Sequence, residues 1–487
     1  MSSAHTHVVP ASPSWYCSQV LDCSPAGIAC YGAKNTVFVW DVERDPPVCL
    51  AHFSAHQDRV VGLSLSPSTN QLQCCTAGED GRVRVWNIED GSMLKEHNIH
   101  AENHKKPTCV QWSPLVSDLI ISGDDRGTVV LWWTETDQQR SLLPENAHIF
   151  CFACSPHDPN LLAIGYRTGA VVIIDMSKKT QMTVQRLKGH DEEIHSICWC
   201  PVPAENEKDP TPTTGCLLAT GSRDRTIRVW SFTRGRPVHV MKLPTNTGYS
   251  RGRYDDQSKN RAWVTILWLK NEPYKLLSSS FNGELIQWDL SQPKPQWKLF
   301  TAGDKALGHN RIVFNMAAGG SDSKILIVTW DLDTLKSKRS IPTLGGFVYC
   351  MAHSPFQPGC VALGVGDNMI RIWKTDHPDN SLSIQSHWQG IRSKVTALAW
   401  HPKKEGKLAY GTDDGRVGIM DTLSHKSPLI SSSYHKHTVY VVAWGPVCSG
   451  EKPECFLAIF VCIRCLLKLC NFGNQMISLR VANEVCK

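Results

Sequence analysis

The feature that most limits what this chain can fold into is an internal repeat. Strand-like runs end nine times on a Trp-Asp-like pair: Trp40-Asp41, Trp86-Asn87, Trp132-Trp133, Ile174-Asp175, Trp230-Ser231, Trp288-Asp289, Trp330-Asp331, Trp373-Lys374 and Met420-Asp421. Successive pairs stand 46, 46, 42, 56, 58, 42, 43 and 47 residues apart. A period of about 40 to 45 residues is that of a four-stranded propeller blade. The two long intervals contain insertions: a Pro-rich loop from Pro201 to Thr214, and a stretch from Arg234 to Arg261 in which seven Lys and Arg face only Asp255 and Asp256.

Inside a unit the grammar also returns. Gly189-His190 is followed by Ile194 to Trp199, Leu217 to Thr220, an Arg223-Asp224-Arg225-Thr226 turn and Ile227 to Trp230. Short β-branched runs broken by Gly and Asp turns are strand and hairpin signals. The Asp turn recurs at Glu79-Asp80-Gly81, Asp124-Asp125-Arg126-Gly127 and Asp413-Asp414-Gly415. The expectation is therefore an all-β chain, a WD-repeat β-propeller. In such repeats the turn aspartates and His56, His190 and His309 serve a buried hydrogen-bond network rather than a catalytic or metal site. Seven blades close the common ring and remove its free edges, and nine strand ends exceed one ring. The expected organisation is one seven-bladed ring over residues 1–340, an incomplete second propeller over 341–455 and a divergent apolar tail over 456–487.

Length and composition agree with this and exclude other classes. A chain of 487 residues can bury two substantial cores. The first ten residues carry no basic and apolar leader, so an intracellular setting is expected. The 20 cysteines then read as reduced core thiols, since many stand in apolar runs. The run Phe456 to Cys470 is too short, and too interrupted by Arg464 and Lys468, for a membrane span of about 20 apolar residues. Cys462 and Cys465 lack the second pair that a zinc site needs. His97, His100 and His104 read as exposed loop histidines. The spacing from Phe314 to Trp330 omits the Asp turn, so that blade is expected to have lost a strand. No nucleophile with its base, phosphate loop or metal cluster stands outside the repeat grammar, so neither an enzyme nor a cofactor is expected. A net charge of +6 is too mild to imply nucleic acid by itself.

Position within the repeat says more than net charge. Each unit begins with a strand running to a Trp-Ser-Pro-like end, as at Trp112-Ser113-Pro114, Cys154-Ser155-Pro156 and Trp400-His401-Pro402. The turn leading into that strand falls at an equivalent place in every blade, and radial repetition sets these turns in a circle. Around it stand Arg59, Lys106, Phe150 with His148, Glu193, Trp263, Arg311, Phe347 with Tyr349, Lys394 and Tyr440, with Trp15 and Tyr16 just before the comparable first strand. Aromatics interleaved with cations suit single-stranded RNA: stacking contributes about 1 to 3 kcal/mol per base while Lys and Arg meet phosphates. The same residue types anchor peptides, so spacing alone leaves RNA and protein partners open.

Several segments carry a more specific likeness. Ser12 to Cys17, His190 to Cys200, Asn310 to Asn315, Leu344 to Tyr349, Trp388-Gln389-Gly390 and Tyr434 to Pro446 resemble the N-terminal WD-repeat region of the fifth Gemin subunits of the SMN complex, over about residues 10 to 455. The resemblance implies two seven-bladed propellers that recognise small nuclear RNA precursors through the uridine-rich Sm site and the 7-methylguanosine cap. It also implies delivery of that RNA to SMN-complex proteins for spliceosomal assembly, in cytoplasm and nucleus, with no membrane, metal or cofactor. Carried over by residue, it makes Trp15 and Tyr16 an aromatic pair, Lys34 a basic contact and Glu193 an acceptor for a base edge. Arg261 with Trp263 becomes a basic and aromatic pair, Arg311 a binding arginine, and Phe347 with Tyr349 a stacking pair. Trp388, Lys436 and Tyr440 take binding positions nearer the second propeller. The alternative is a scaffold that holds a peptide on the propeller face.

Overall fold

Among the described residues, eight repeats each fold as one four-stranded antiparallel sheet whose strands follow each other in chain order, because most connections are short turns that can only fold back on their neighbour. The computed structural model describes residues 11, 13–14, 17, 19–44, 47–68, 72–201, 217–244, 264–268, 272–279, 285–299, 318–319, 324–325, 328–331, 336–340, 347–374, 384–387, 390–424, 428–431, 435–447 and 454–460. These fall in two compact units, one spanning Pro13–Ser340 and the other Ile341–Lys487 together with Met1–Ser12.

In the Pro13–Ser340 unit the first sheet runs Leu21–Cys23, Ile28–Ala33, Thr36–Asp41, Val48–Ser54 from the inside outward. Five more four-stranded sheets repeat this order, with innermost strands Val60–Leu65, Pro107–Trp112, Ile149–Cys154, Ile194–Trp199 and Ile266–Trp268. From Leu21–Cys23 to Ile266–Trp268 each innermost strand touches the next, and Ala318–Gly319 of the seventh unit lies against Leu21–Cys23 at the other end of the series. The seventh blade corrects one expectation. It has not lost a strand: it keeps four short ones, Ala318–Gly319 paired with Lys324–Ile325 and Val328–Asp331 paired with Lys336–Ser340. The ladder between the two pairs is what is missing among the described residues. The basic stretch after Arg234 likewise begins as structure, since Arg236–Lys242 is the outer strand of the fifth sheet.

The core lies between blades and not within them. One cluster joins Cys109, Leu119, Ile121 and Leu131 of the third blade to Phe152, Leu162, Ile164 and Ile174 of the fourth, and another joins Ala153, Ala163 and Ile173 to Ile197, Leu218 and Trp230. The repeated tryptophans Trp40, Trp86, Trp132, Trp230 and Trp288 are all buried. Burying 150 to 250 Å² of each contributes roughly 4 to 6 kcal/mol of transfer free energy, which is why the repeat preserves them in the face of so many other changes.

Polar residues of the repeat tie strands together. His56 Nδ1 meets Asp80 at 2.9 Å and its Nε2 meets Thr76 Oγ1 at 2.8 Å, and Trp86 Nε1 donates to the same hydroxyl at 2.9 Å. His190, Asp224, Thr220 and Trp230 repeat the arrangement at 2.7 and 2.8 Å. Burial alone would raise the Asp224 carboxyl, but hydrogen bonds from His190 and Thr226 hold it at about 2. Two of the three histidines expected in an exposed loop belong here instead. His97 and His100 are buried, and His100 Nε2 meets Ser122 Oγ at 2.7 Å with Asp124 on its other nitrogen at 3.4 Å. That Ser-His-Asp set is 3%, 1% and 0% exposed, so no substrate can reach it. The 13 free cysteines among the described residues are buried or half-buried, and burial pushes the thiols of most of them up.

The other unit holds two four-stranded sheets, with innermost strands Val348–His353 and Val395–Trp400, and the pair Val441–Val447 with Glu454–Phe460. It is a partial propeller: three blade starts and no ring among the described residues. Its blades are joined as in the ring. Trp400 Nε1 donates to Ala352 O at 2.9 Å and Trp444 Nε1 to Ala399 O at 3.0 Å, the bond that Trp199 makes to Ala153 O.

Candidate nucleic-acid interface

Two kinds of turn share one face of each blade: the turn leading into the innermost strand and the hairpin between the second and third strands. One hydrogen bond repeats between them. Glu79 N donates to Arg59 O, Asp125 N to Lys106 O, Arg167 N to His148 O, and Arg223 N to Glu193 O, all between 2.8 and 3.0 Å; Gly366 N to Phe347 O and Asp413 N to Lys394 O repeat it in the second unit at 2.9 Å. The clamp fixes Arg59, Lys106, His148, Glu193, Phe347 and Lys394 at equivalent places. Lys34 stands in the matching hairpin of the first blade, exposed, with φ of 52°, and its carbonyl accepts from Val60 N at 2.7 Å.

Just inside the clamp the innermost strand carries a bulge. Register shifts between Val60 and Gly62, Ile149 and Cys151, Ile194 and Ser196, Val348 and Cys350, and Val395 and Ala397 leave one residue unpaired each time. A bulge re-aims the extra side chain. The residues so placed are Val61, Phe150, His195, Tyr349 and Thr396. The pairing of Phe150 with His148 and of Tyr349 with Phe347 follows from this: one member sits on the clamp and the other on the bulge.

In the ring the arginines of this face are met by carboxylates. Arg59 meets Glu79 at 3.2 Å, and Glu193 lies between Arg167 at 3.1 Å and Arg223 at 3.4 Å. The rings of His148 and Phe150 are 5.9 Å apart, and those of Phe150 and His195 5.5 Å. Burial pushes the His195 imidazole down to about 4, with Glu193 opposing and Arg223 adding to the shift. Its Nδ1 accepts from Val264 N at 3.2 Å, so the neutral ring carries its proton on Nε2, the nitrogen toward Glu193. Glu79, Lys106, Asp125, His148 and Phe150 line a cavity of about 240 Å³ on this face. A larger cavity of about 560 Å³ runs along the innermost strands, around Asp22, Ser64, Gln111 and Thr265.

In the second unit the same face is aromatic and cationic. Phe347 is 69% exposed and Tyr349 47%, with Lys394 Nζ 5.9 Å from the Tyr349 ring centre. Tyr440 is 45% exposed and follows the buried Val439 as Tyr349 follows Val348; Lys436 is exposed. Trp15, Tyr16, Arg261, Trp263, Arg311 and Trp388 lie outside the described residues. His195, Arg167 and Arg223 were not in the expected set. His195 follows the bulge register, and the arginines are the hairpin partners of residues that the circle had found.

The comparisons give this face a family. Residues 57–215 match the family described as the RIG first beta-propeller. Gem-associated protein 5 of Homo sapiens is 42% identical over 93% of this chain and 33% of its own length, and that of Mus musculus 44% identical over 90% and 32%. The chain belongs to the Gem-associated protein 5 family. It spans about a third of the length of the curated relatives it matches. A chain of the crystal structure of the mitotic checkpoint complex superposes with a TM-score of 0.50 at 17% identity, over 67% of this chain and 88% of that one, a likeness of fold alone. Among the described residues no helix is long and apolar enough to cross a membrane.

Proposed function

We propose that the chain holds single-stranded RNA on the face of lead-in turns and hairpins, recognising the Sm site and 7-methylguanosine cap of small nuclear RNA precursors and passing them to the SMN complex. On this reading it works in cytoplasm and nucleus with SMN-complex proteins. The observation that carries it is the clamp-and-bulge pair Phe347 and Tyr349, two exposed aromatic rings with Lys394 beside one of them, in a chain of the Gem-associated protein 5 family. Exposed rings of this kind stack on unpaired bases, and a methylated guanine, being cationic, favours an electron-rich ring such as Tyr349 or Tyr440. Glu193 takes a base edge, Lys34 and Lys436 take phosphates, and Trp15, Tyr16, Arg261, Trp263, Arg311 and Trp388 complete the set.

The test is titration of the purified chain with capped and uncapped uridine-rich RNA at several salt concentrations. Phe347→Ala or Tyr349→Ala is expected to cost about 1 to 3 kcal/mol of affinity with the fold intact. Binding that ignored both salt and uridine-rich competitor would assign the face to a peptide instead.

A further inference from the structure

The 240 Å³ cavity on the ring's clamp face is lined by Lys106, His148 and Phe150 of the circle, none of which the family resemblance gave an RNA role. It is smaller than the roughly 300 to 1,000 Å³ of pockets that enclose drug-sized molecules, which suits one base and not two. Phe150 offers a half-buried ring face. Asp125 Oδ1 accepts from Lys106 N at 3.2 Å, while Oδ2 accepts nothing among the described residues. Glu79 is already engaged by Arg59. Lys106 Nζ is exposed and makes no ion pair among the described residues. Burial, with Arg167 adding, pushes the His148 imidazole down, so at neutral pH it offers one donor and one acceptor.

The donor pattern selects among the bases. Uracil can set O4 on the ammonium and N3–H on one carboxylate oxygen, but its O2 would then face the other carboxylate oxygen. Guanine presents N1–H and the N2 amine side by side, a match for an acceptor-only carboxylate, with O6 next to them for an ammonium. We propose that this cavity is a guanine pocket: the base lies on Phe150, Asp125 accepts from its N1–H and N2 amine, and Lys106 donates to O6. This rests on the RNA reading of the face. The guanine is that of an internal nucleotide or of the cap, since N7 methylation leaves N1–H, the N2 amine and O6 in place.

Four probes separate the possibilities: heptauridylate, the same strand with one guanosine, that strand with inosine in place of guanosine, and a 7-methylguanosine cap dinucleotide. Each is titrated against the full chain, Asp125→Asn and Phe150→Leu, with thermal unfolding as the fold control. Asn keeps the Oδ1 acceptor for Lys106 N but turns the other carboxylate oxygen into a donor facing guanine's donors. The expected result is that guanosine tightens binding about tenfold over heptauridylate, and that inosine, lacking the N2 amine, loses most of this. Asp125→Asn abolishes the guanosine gain and leaves heptauridylate binding unchanged. If Asp125→Asn weakens the cap dinucleotide instead of the internal guanosine, the cap is the source of the base. Heptauridylate binding with no guanosine preference, or equal losses for all strands in Asp125→Asn, overturns the pocket alone. No binding of any strand overturns the RNA reading with it.

Discussion

The innermost strands Val60–Leu65 and Val348–His353 have the same backbone, down to the bulge after their first residue, yet the first is buried at all six positions and the second is exposed at four. Leu63 and Leu65 rest against Cys30, Val37 and Val39 of the preceding blade. Their counterparts Met351 and His353 have no such cover, and Met351 is 71% exposed. Strand geometry is thus written locally, by β-branched runs and Asp turns, while burial is written by the neighbour. Repeat arrays draw much of their stability from such interfaces. The face differs in the same way: in the ring Arg59, Arg167 and Arg223 each meet a carboxylate, whereas Phe347, Tyr349, Lys394 and Lys436 form a surface of exposed rings and ammonium groups.

The largest effect should come from the strands themselves. Leu63→Ala removes a side chain that is 2% exposed and is expected to cost about 2 to 5 kcal/mol. Met351→Ala at the equivalent place should stay within about 0.5 kcal/mol. Denaturant midpoints of the two variants check this. A Met351→Ala loss as large as that of Leu63→Ala would mean that the second unit's first strand is covered in solution, and the comparison would fail.

A second test uses pH and concerns the ring only. The folded His195 titrates near 4 and its ordinary value is 6.5, so the unfolded chain binds more protons between the two. Its contribution is present in full above about 6.5 and is lost as pH falls toward 4, at most roughly 3 kcal/mol. Asp224 acts lower: folded at about 2 against 3.8, its contribution is lost only as pH falls from about 4 to 2. Unfolding of the ring followed by tryptophan fluorescence should therefore weaken in two steps, and His195→Gln should flatten the upper one. A pH-independent ring between 4 and 6.5 would show that His195 is solvated and not held in the wall of the face.

What could be read in the sequence follows the same division. The repeat period placed every sheet, because each blade's signals are local: a Trp-Asp end, a Gly or Asp turn, a β-branched run. The Gly127 turn illustrates it, with φ of 91° and a carbonyl of Glu145 where a Cβ would stand. His100 was not legible, since it precedes its blade on a short helix, Ile99–Glu102, outside the Gly-His pattern of the other repeats. The seventh blade was misjudged for a related reason. Its Asp turn is absent, but short strands form without it. Of the site, the clamped positions were legible because the count back from the Trp-Ser-Pro end is fixed. The hairpin partners Asp125, Arg167 and Arg223 were not, because they come from a second turn after the next strand, which the count back from the Trp-Ser-Pro end does not reach.

The smallest effect sharpens the contrast between the two faces. Arg59 pairs with Glu79 at 3.2 Å, both partly exposed, so its charge is already answered within the protein. Such a pair is worth about 0 to 1 kcal/mol to the fold and leaves little net attraction for a phosphate. Lys436 is exposed and has no ion pair among the described residues, so it is free to release counterions from RNA. Lys436→Gln is therefore expected to make the slope of log affinity against log salt shallower by about one unit, with Arg59→Gln leaving it unchanged. Both substitutions keep a long polar side chain, so stability should move by less than about 0.5 kcal/mol for Lys436→Gln. The check is a titration of uridine-rich RNA at a series of salt concentrations for wild type and both variants. Equal slopes for the two variants would show that the carboxylates of the ring do not offset its cations, and the charge half of the comparison would have to be given up.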